Sequence, residues 1–300
     1  MWLYLAFLSS LCLGCYEVAK KRSLIDNAII PVLWCNILFS CLILSPMILS
    51  AELGFHWFDG TIFDSGTGDA RAHLLTAIKS AIVLSSWLLG YVGLKHLPIT
   101  IVSPIIATRP VVVLLGAMII FNEIPNTFQW CGIVVTGIAL YLFSRSSKKE
   151  GINFKYNHWV WYSVGAAVLG AVSGLYDKHI MSSLNPVFVQ GWFNIYQFIL
   201  MSIIASIMWL PKKKRNGTEF HWNWAIILVA LFLAIADFAY FNALTHPGAM
   251  ISVMSMIRGG SVIVSFTIGA LIFREKNIRA KALDLLLILA GLFLLYLGSR

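Results

Sequence analysis

The sequence contains little charge and few groups that could bind a metal. Only 12% of its 300 residues are Asp, Glu, Lys or Arg, against about 25% in an ordinary soluble domain, whereas 59% are hydrophobic. A soluble protein of ordinary composition is therefore excluded. The five cysteines all fall inside apolar runs, and the seven histidines include no His-x-x-x-His pair. We therefore expect no metal site and no cofactor.

Apolar runs of about 20 residues recur along the whole chain, and each is long enough to cross a hydrocarbon core of roughly 30 Å. The first run has neither a basic n-region nor a small-residue cleavage site, which indicates a membrane span rather than a signal peptide. The predicted fold class is an all-α polytopic membrane protein with ten transmembrane helices, surrounded by the lipid bilayer. The predicted spans are 2–19, 28–50, 73–94, 98–121, 126–144, 158–179, 184–210, 221–245, 248–273 and 279–298.

Positive charge is concentrated between the predicted spans. The net charge is +9, but its location favours a role in membrane orientation over binding to nucleic acid. Sixteen Lys and Arg residues, Lys20 and Lys281 among them, are assigned to one side, and four, including Lys79, to the other. The positive-inside rule then places the first set in the cytoplasm and both termini outside.

The two halves of the chain resemble each other. Segment 91–113 matches 240–262 at a fixed offset of 149, and 13–21 matches 173–181. We therefore predict a first five-helix repeat at 1–143, a basic linker at 144–157 and a second five-helix repeat at 158–300. Because five is odd, the repeats should lie in the membrane with opposite topology around a central cavity. The alignment superimposes Tyr16 on Tyr176, Glu17 on Asp177, Tyr91 on Tyr240 and Arg109 on Arg258.

The repeated motifs carry a resemblance to a known family. Each half has a proline-initiated fourth helix, a Gly-rich stretch ending in an acidic residue ("GAMIIFNE", "GALIFRE") and a closing "GIALYL" or "GLFLLYL" helix. This pattern resembles the EamA-type repeat of the drug/metabolite transporter superfamily. The resemblance implies ten helices around a central cavity and secondary transport of small metabolites, often export, rather than an enzyme. It also implies the inner membrane of a bacterium, with both termini inside.

Two arginines interrupt the apolar spans. Arg109 and Arg258 each lie about eleven residues into equivalent spans, near the midplane, where an arginine costs roughly 2.5–3.5 kcal/mol to insert. We expect both to face the cavity and to bind a carboxylate or phosphate of the substrate. The alternative is a structural ion pair that fixes helices together.

Three acidic residues are candidate partners of the arginines. Glu17 and Asp177 lie roughly 6 Å inside the ends of their spans, and we expect each to pair with one arginine as a gate. The alternative is local pairing with Lys20 or Lys178. Asp237, within the eighth span, is expected either to pair with an arginine or to carry a proton in proton coupling.

Aromatic side chains on the same helices are candidates for the cavity wall. Trp87, Tyr91 and Tyr240 could contact the ring or the aliphatic part of a substrate, and the repeat-related Tyr16 and Tyr176 are included with them. The alternative is packing, or a position in the aromatic belt at the membrane interface.

The hypothesis that results is a secondary active transporter, in the export direction, of a small metabolite with an anionic group. It would act as a monomer or homodimer, with protons as a candidate coupling ion. A membrane channel or a structural membrane protein is one alternative. An intramembrane aspartyl hydrolase is another, because "FDSGTGDA" at 63–70 contains Asp64 and Asp69 and "LYD" at 175–177 offers a further aspartate. The loop position of Asp64 and Asp69 argues against it.

Overall fold

Helices account for all the regular structure in the residues that the computed structural model describes, which are 2–55, 57–121, 126–148, 154–181, 183–211, 220–246, 254, 257–273 and 278–298. This is expected because a backbone that crosses lipid must satisfy its own hydrogen bonds. The helices are α1 (Trp2–Ser23), α2 (Ile29–Glu52), α3 (Ala70–His96), α4 (Ile99–Ile106), α5 (Arg109–Phe121), α6 (Thr127–Lys148), α7 (His158–Ile180), α8 (Pro186–Ile204), α9 (Ala225–Leu244), α10 (Ser261–Phe273) and α11 (Ile278–Gly298). A π-helical turn at Ala205–Trp209 continues α8.

Eight helical segments in the described ranges are long and apolar enough to cross a membrane. Two shorter apolar helices, Thr127–Ala139 and Ile257–Phe273, occupy the fifth and ninth predicted spans. Large apolar side chains point outward, such as Leu271 and Leu283, at 75% and 65% exposure. Lipid is the environment in which such a surface is stable. An all-helical, multi-pass membrane protein is thus confirmed, while the count of ten spans stays a prediction.

The fourth predicted span is divided into two helices. α4 ends at Ile106 and α5 begins at Arg109. Pro110 has no backbone N–H to donate to Ile106, so the helical hydrogen-bond ladder is interrupted here. Thr108 instead donates from both its N–H and its hydroxyl to the carbonyl oxygen of Ile105, at 3.2 and 2.6 Å. Arg109 is therefore the first residue of a half-helix in the middle of the span.

Around the centre of the protein, helices from the first half of the chain pack against helices from the second half. α1 packs against α9 and α10, and α7 packs against α3 and α5. The repeat alignment equates α1 with α7, α3 with α9 and α5 with α10, so each contact in one half has a counterpart in the other. Lys21 Nζ donates to the carbonyl oxygens of Leu94 and Leu97, which brings the C-terminal ends of α1 and α3 together.

Two further pairs join equivalent helices directly. α2 packs against α8, and α6 packs against α11. Trp34 Nε1 donates to Ser202 Oγ at 2.9 Å near one end of α2, and Ile48 meets Gly191 near the other end. These contacts make α2 and α8 antiparallel. Small residues such as Gly132 and Gly291 allow the same close antiparallel approach between α6 and α11.

Candidate functional site

A cavity of about 180 Å³ lies at the centre of the helices described above. It is smaller than the roughly 300–1,000 Å³ of drug-sized ligand sites, and therefore suits a small metabolite. Its wall combines aromatic surface with buried charge. The charged side chains that line it are Glu17, Lys20, Lys79, Arg109, Asp177, Asp237 and Arg258.

Most of the predicted site residues meet at this cavity. Both arginines and all three candidate acids line it. The aromatic residues Tyr16, Trp87 and Tyr240 form part of the same wall, together with Phe193 and Phe241. Residues from both halves of the chain, distant in sequence, thus surround one space.

Two residues that were predicted to contact substrate do not line the cavity. Tyr91 is completely buried behind the wall, and its hydroxyl lies 3.3 Å from Asn36 Nδ2. Tyr176 turns toward α3 and donates its hydroxyl to the carbonyl oxygen of Leu75 at 3.1 Å. A helix that is apolar on every side gives no sequence signal for the direction of a given aromatic residue.

Arg258 has a carboxylate partner in the cavity wall. Its Nη2 donates to Asp237 Oδ1 at 2.9 Å, and the two side chains are 19% and 15% exposed. The guanidinium carbon lies 4.0 Å from the centroid of the Tyr240 ring, a cation–π distance. The carboxylate and the ring together compensate the charge of Arg258. Asp237 thus occupies the first of its two expected roles, that of an arginine partner.

Glu17 and Asp177 form their ion pairs with lysines, and neither forms one with an arginine among the described residues. Lys20 Nζ lies 2.8 Å from Glu17 Oε1 on the same helix, which is the local alternative. Asp177 of α7 pairs with Lys79 of α3. The two lysines are only 4% and 2% exposed. Each acid therefore has a lysine partner inside the protein.

The assignment of Lys and Arg residues to the two sides of the membrane placed three lysines outside the spans, and the structure places all three inside the protein. Lys20 and Lys79 lie within α1 and α3 and line the cavity. Lys281 is completely buried and donates to Thr100 Oγ1 at 2.9 Å. Lys79 lies six residues inside the predicted span 73–94. This position is the sequence signal for its burial.

Each of the two cavity lysines lies between two aromatic rings. Lys20 Nζ is 4.7 Å from the ring centroid of Tyr16 and 5.2 Å from that of Tyr91. Lys79 Nζ is 5.1 and 4.9 Å from the centroids of Phe193 and Phe241. Cation–π attraction strengthens when the cation is desolvated, so the rings add to the stabilisation by the carboxylates.

Arg109 is the cavity cation without a partner. It forms no ion pair or hydrogen bond with any residue in the described part of the chain, and its Nε is buried. The guanidinium lies against Gly170 of α7, where an added Cβ would be 2.6 Å from Cζ and from Nε. Two other wall atoms, Glu17 Oε2 and Ser103 Oγ, are buried and equally unpartnered among the described residues. The positive end of the α5 dipole adds to the charge here.

The aspartates of the hydrolase hypothesis are not brought together. Asp64 Oδ1 accepts from the Gly66 N–H at 3.0 Å, within its loop. Asp69 caps α3 by accepting from the Ala72 N–H at 2.8 Å. Asp177 lines the cavity without either of them. Two carboxylates that share a proton must be adjacent, so this arrangement contradicts the hydrolase hypothesis.

Comparisons with known proteins agree with this architecture. A model of the EamA-like transporter family matches residues 1–145 and 157–297. A solved crystal structure is similar over 98% of this chain and 96% of that chain, with a TM-score of 0.66 and 12% sequence identity, which shows a shared fold alone. No curated protein matches the sequence. Because the family match covers both halves, the chain belongs to the EamA-like transporter family and is an integral, multi-pass membrane transporter.

Proposed function

We propose that the protein is a secondary active transporter of a small anionic metabolite, which binds to Arg109 in the central cavity. One observation carries this proposal: Arg109 faces the cavity, its Nε is buried, and it forms no hydrogen bond or ion pair in the described part of the chain. A buried charge is costly unless it is paired. A carboxylate or phosphate would accept a bidentate pair of hydrogen bonds from Arg109 and complete the site.

The balance of charge around the cavity supports an anionic substrate. Four cations and three carboxylates line it, which leaves a net charge of +1. The three carboxylates are all paired, with Lys20, Lys79 and Arg258. The unmatched charge therefore belongs to Arg109. A monoanionic group would neutralise the cavity as a whole.

Two lysine–carboxylate pairs are suited to act as gates. Lys20 lies beside the Tyr91 ring of α3, whereas Lys79 lies twelve residues earlier on the same helix. At 1.5 Å per residue the pairs are separated by roughly 18 Å along α3, with the cavity between them. Opening one side of the cavity would break one pair while the other stays closed.

We further propose that residues 1–143 and 158–300 are inverted repeats, joined by the linker at 144–157, which rock against each other. Two observations support this arrangement. The contact of α1 with α9 has an equivalent in the contact of α7 with α3, and α2 packs antiparallel to α8. Protons are the proposed coupling ion. Glu17 is the proposed carrier, because its Oε2 has no partner among the residues described.

Transport by purified protein in liposomes tests the assignment. A panel of radiolabelled carboxylates and phosphate esters identifies a transported probe by counterflow, which a channel does not produce. Arg109→Gln should lower uptake of that probe at least about 100-fold while the protein still inserts, since a hydrogen bond to a charged group contributes about 1.5–3 kcal/mol and Arg109 offers two. Arg258→Gln should also abolish transport. Normal uptake by Arg109→Gln would refute the site.

A further inference from the structure

Two neighbouring serines on α1 bond to the backbone beside the Asp237–Arg258 pair. Ser9 Oγ donates to the carbonyl oxygen of Ala236, and Ser10 Oγ donates to that of Ile257, both at 2.7 Å. Ser9 is completely buried and Ser10 is 7% exposed. The two carbonyls belong to the peptide groups that enter the two members of the ion pair. Because a peptide group is planar, each serine fixes the backbone directly before one member of the pair.

The backbone that follows Arg258 is not a regular α-helix. Two glycines come next in the sequence, and the second, Gly260, donates its N–H to the carbonyl oxygen of Ile257 at 3.0 Å. This bond spans three residues, whereas an α-helical bond spans four. The helix α10 begins only at Ser261. Glycine also weakens a helix, so the bond from Ser10 supplies a fixed point where the chain itself is least constrained.

The first half of the chain differs at each of these positions. Under the repeat alignment, Leu88 stands where the second half has Asp237. The α7 residues equivalent to the two serines are Leu169 and Gly170, which have no hydroxyl group. Arg109 lies against that glycine and forms no ion pair or hydrogen bond with the residues that the structure describes. The arginine that has the acid and the serines is therefore paired, and the arginine that lacks them is not.

We propose that Ser9 and Ser10 are positioning residues, which hold Arg258 on Asp237 and thereby leave Arg109 as the arginine available to a substrate. The first part of this statement concerns the folded protein alone, whereas the second part rests on the proposed function. Without the two bonds from α1, only the side chains would keep the ion pair together, and their rotamer freedom opposes a single arrangement. The serines thus give two repeat-related arginines different roles.

Chemical modification of the two arginines tests the positioning role without any substrate. The reagent 2,3-butanedione is small and neutral, and it modifies a guanidinium that has left its carboxylate faster than one that is held there. Ser10→Thr keeps the hydroxyl group, whereas Ser10→Val replaces it with a methyl group in a side chain of nearly the same shape. We expect Arg258 to be modified about fivefold faster in Ser10→Val than in Ser10→Thr, the change in population that follows from the loss of one typical hydrogen bond. Mass spectrometry of the digested protein measures both rates.

Arg109 is the internal control, because it lies against α7 rather than α1. Its modification rate should be the same in the two variants, whereas a general loosening of the bundle would accelerate both arginines. The double variant Ser9→Ala, Ser10→Ala, compared with the wild-type protein, should accelerate Arg258 at least equally and keeps the test valid where Ser10→Val does not fold. Equal rates for Arg258 with and without the hydroxyl groups, or equal acceleration of both arginines, would overturn the proposal. No substrate is present, so this result is independent of whether Arg109 binds an anion.

Discussion

Arg109 differs from the other cavity cations in what touches it. Arg258, Lys20 and Lys79 each meet a carboxylate and an aromatic ring. Arg109 meets the bare backbone of Gly170. The absence of a side chain at this glycine leaves the space beside α7 that the guanidinium occupies. The glycine is thus part of the proposed anion site through the space it leaves.

Gly170→Ala should therefore disable the site selectively. The added Cβ would be 2.6 Å from Arg109 Cζ and Nε, closer than real contacts allow, so the guanidinium must move. We expect uptake of an anionic probe to fall about 10- to 100-fold, since catalytic and binding geometry is sensitive to displacements of about 1 Å.

Gly174→Ala is the control for this change. Gly174 also lines the cavity, one turn further along α7, but a Cβ added there would have no described atom within 4 Å. Its uptake should stay within about twofold of the wild-type value, as expected where a substitution meets open space. Equal losses in the two variants would contradict the role of Gly170.

The Lys79–Asp177 pair should behave as a buried ion pair. Lys79→Met leaves a buried, uncompensated carboxylate, and we expect it to lower the free energy of unfolding by about 3–5 kcal/mol. The double variant Lys79→Met, Asp177→Leu removes both charges and should recover most of this loss. Thermal unfolding in detergent measures both. A double variant as unstable as the single one would show that the pair is not the source of the effect.

At the scale of the helices, the break between α4 and α5 determines where Arg109 points. Because the ladder is interrupted at Pro110, the N-terminal end of α5 faces the cavity together with the arginine. Half-helix N-termini of this kind bind anionic groups in transporters. The same break gives the span a place at which to bend.

Pro110→Ala should restore the missing N–H and allow a continuous helix. We expect the free energy of unfolding to stay the same or to rise by up to about 3 kcal/mol, the usual cost of a proline inside a helix. Uptake should fall, because Arg109 rotates with the straightened helix. Pro46→Ala, at an exposed position inside α2, is the control and should leave uptake unchanged. Full uptake by Pro110→Ala would show that the break has no functional role.

The positions of the spans could largely be predicted from the sequence, because apolar runs of membrane length have one stable arrangement in lipid. The two arginines were also predictable, since a charge in such a run is costly and recurs in both halves. The Lys79–Asp177 pair was not, because it joins residues 98 positions apart. Nor was the direction of Tyr91 or Tyr176, because their helices are apolar on every side.

For the whole molecule, the contact of α1 with α9 and the contact of α7 with α3 are equivalent under the repeat alignment. The two halves of the chain are therefore built alike. Ten spans require that both termini lie on one side of the membrane. Reporters fused at residues 1 and 300 should therefore give the same signal, and opposite signals would contradict the proposed ten spans. The same fusions decide between the charge distribution, which favours termini outside, and the family resemblance, which implies termini inside.

The central claim is that Arg109 recognises the anionic group of a substrate. Ligand-induced thermal stabilisation tests it directly, with matched pairs of probes such as lactate and lactamide, or glucose 6-phosphate and glucose. The wild-type protein should be stabilised by at least one anionic probe and not by its neutral partner, because only the anion completes the pairing of Arg109. Arg109→Gln should lose that stabilisation while it retains its own folded transition. Equal stabilisation of wild-type protein and Arg109→Gln by the same anion would contradict the account.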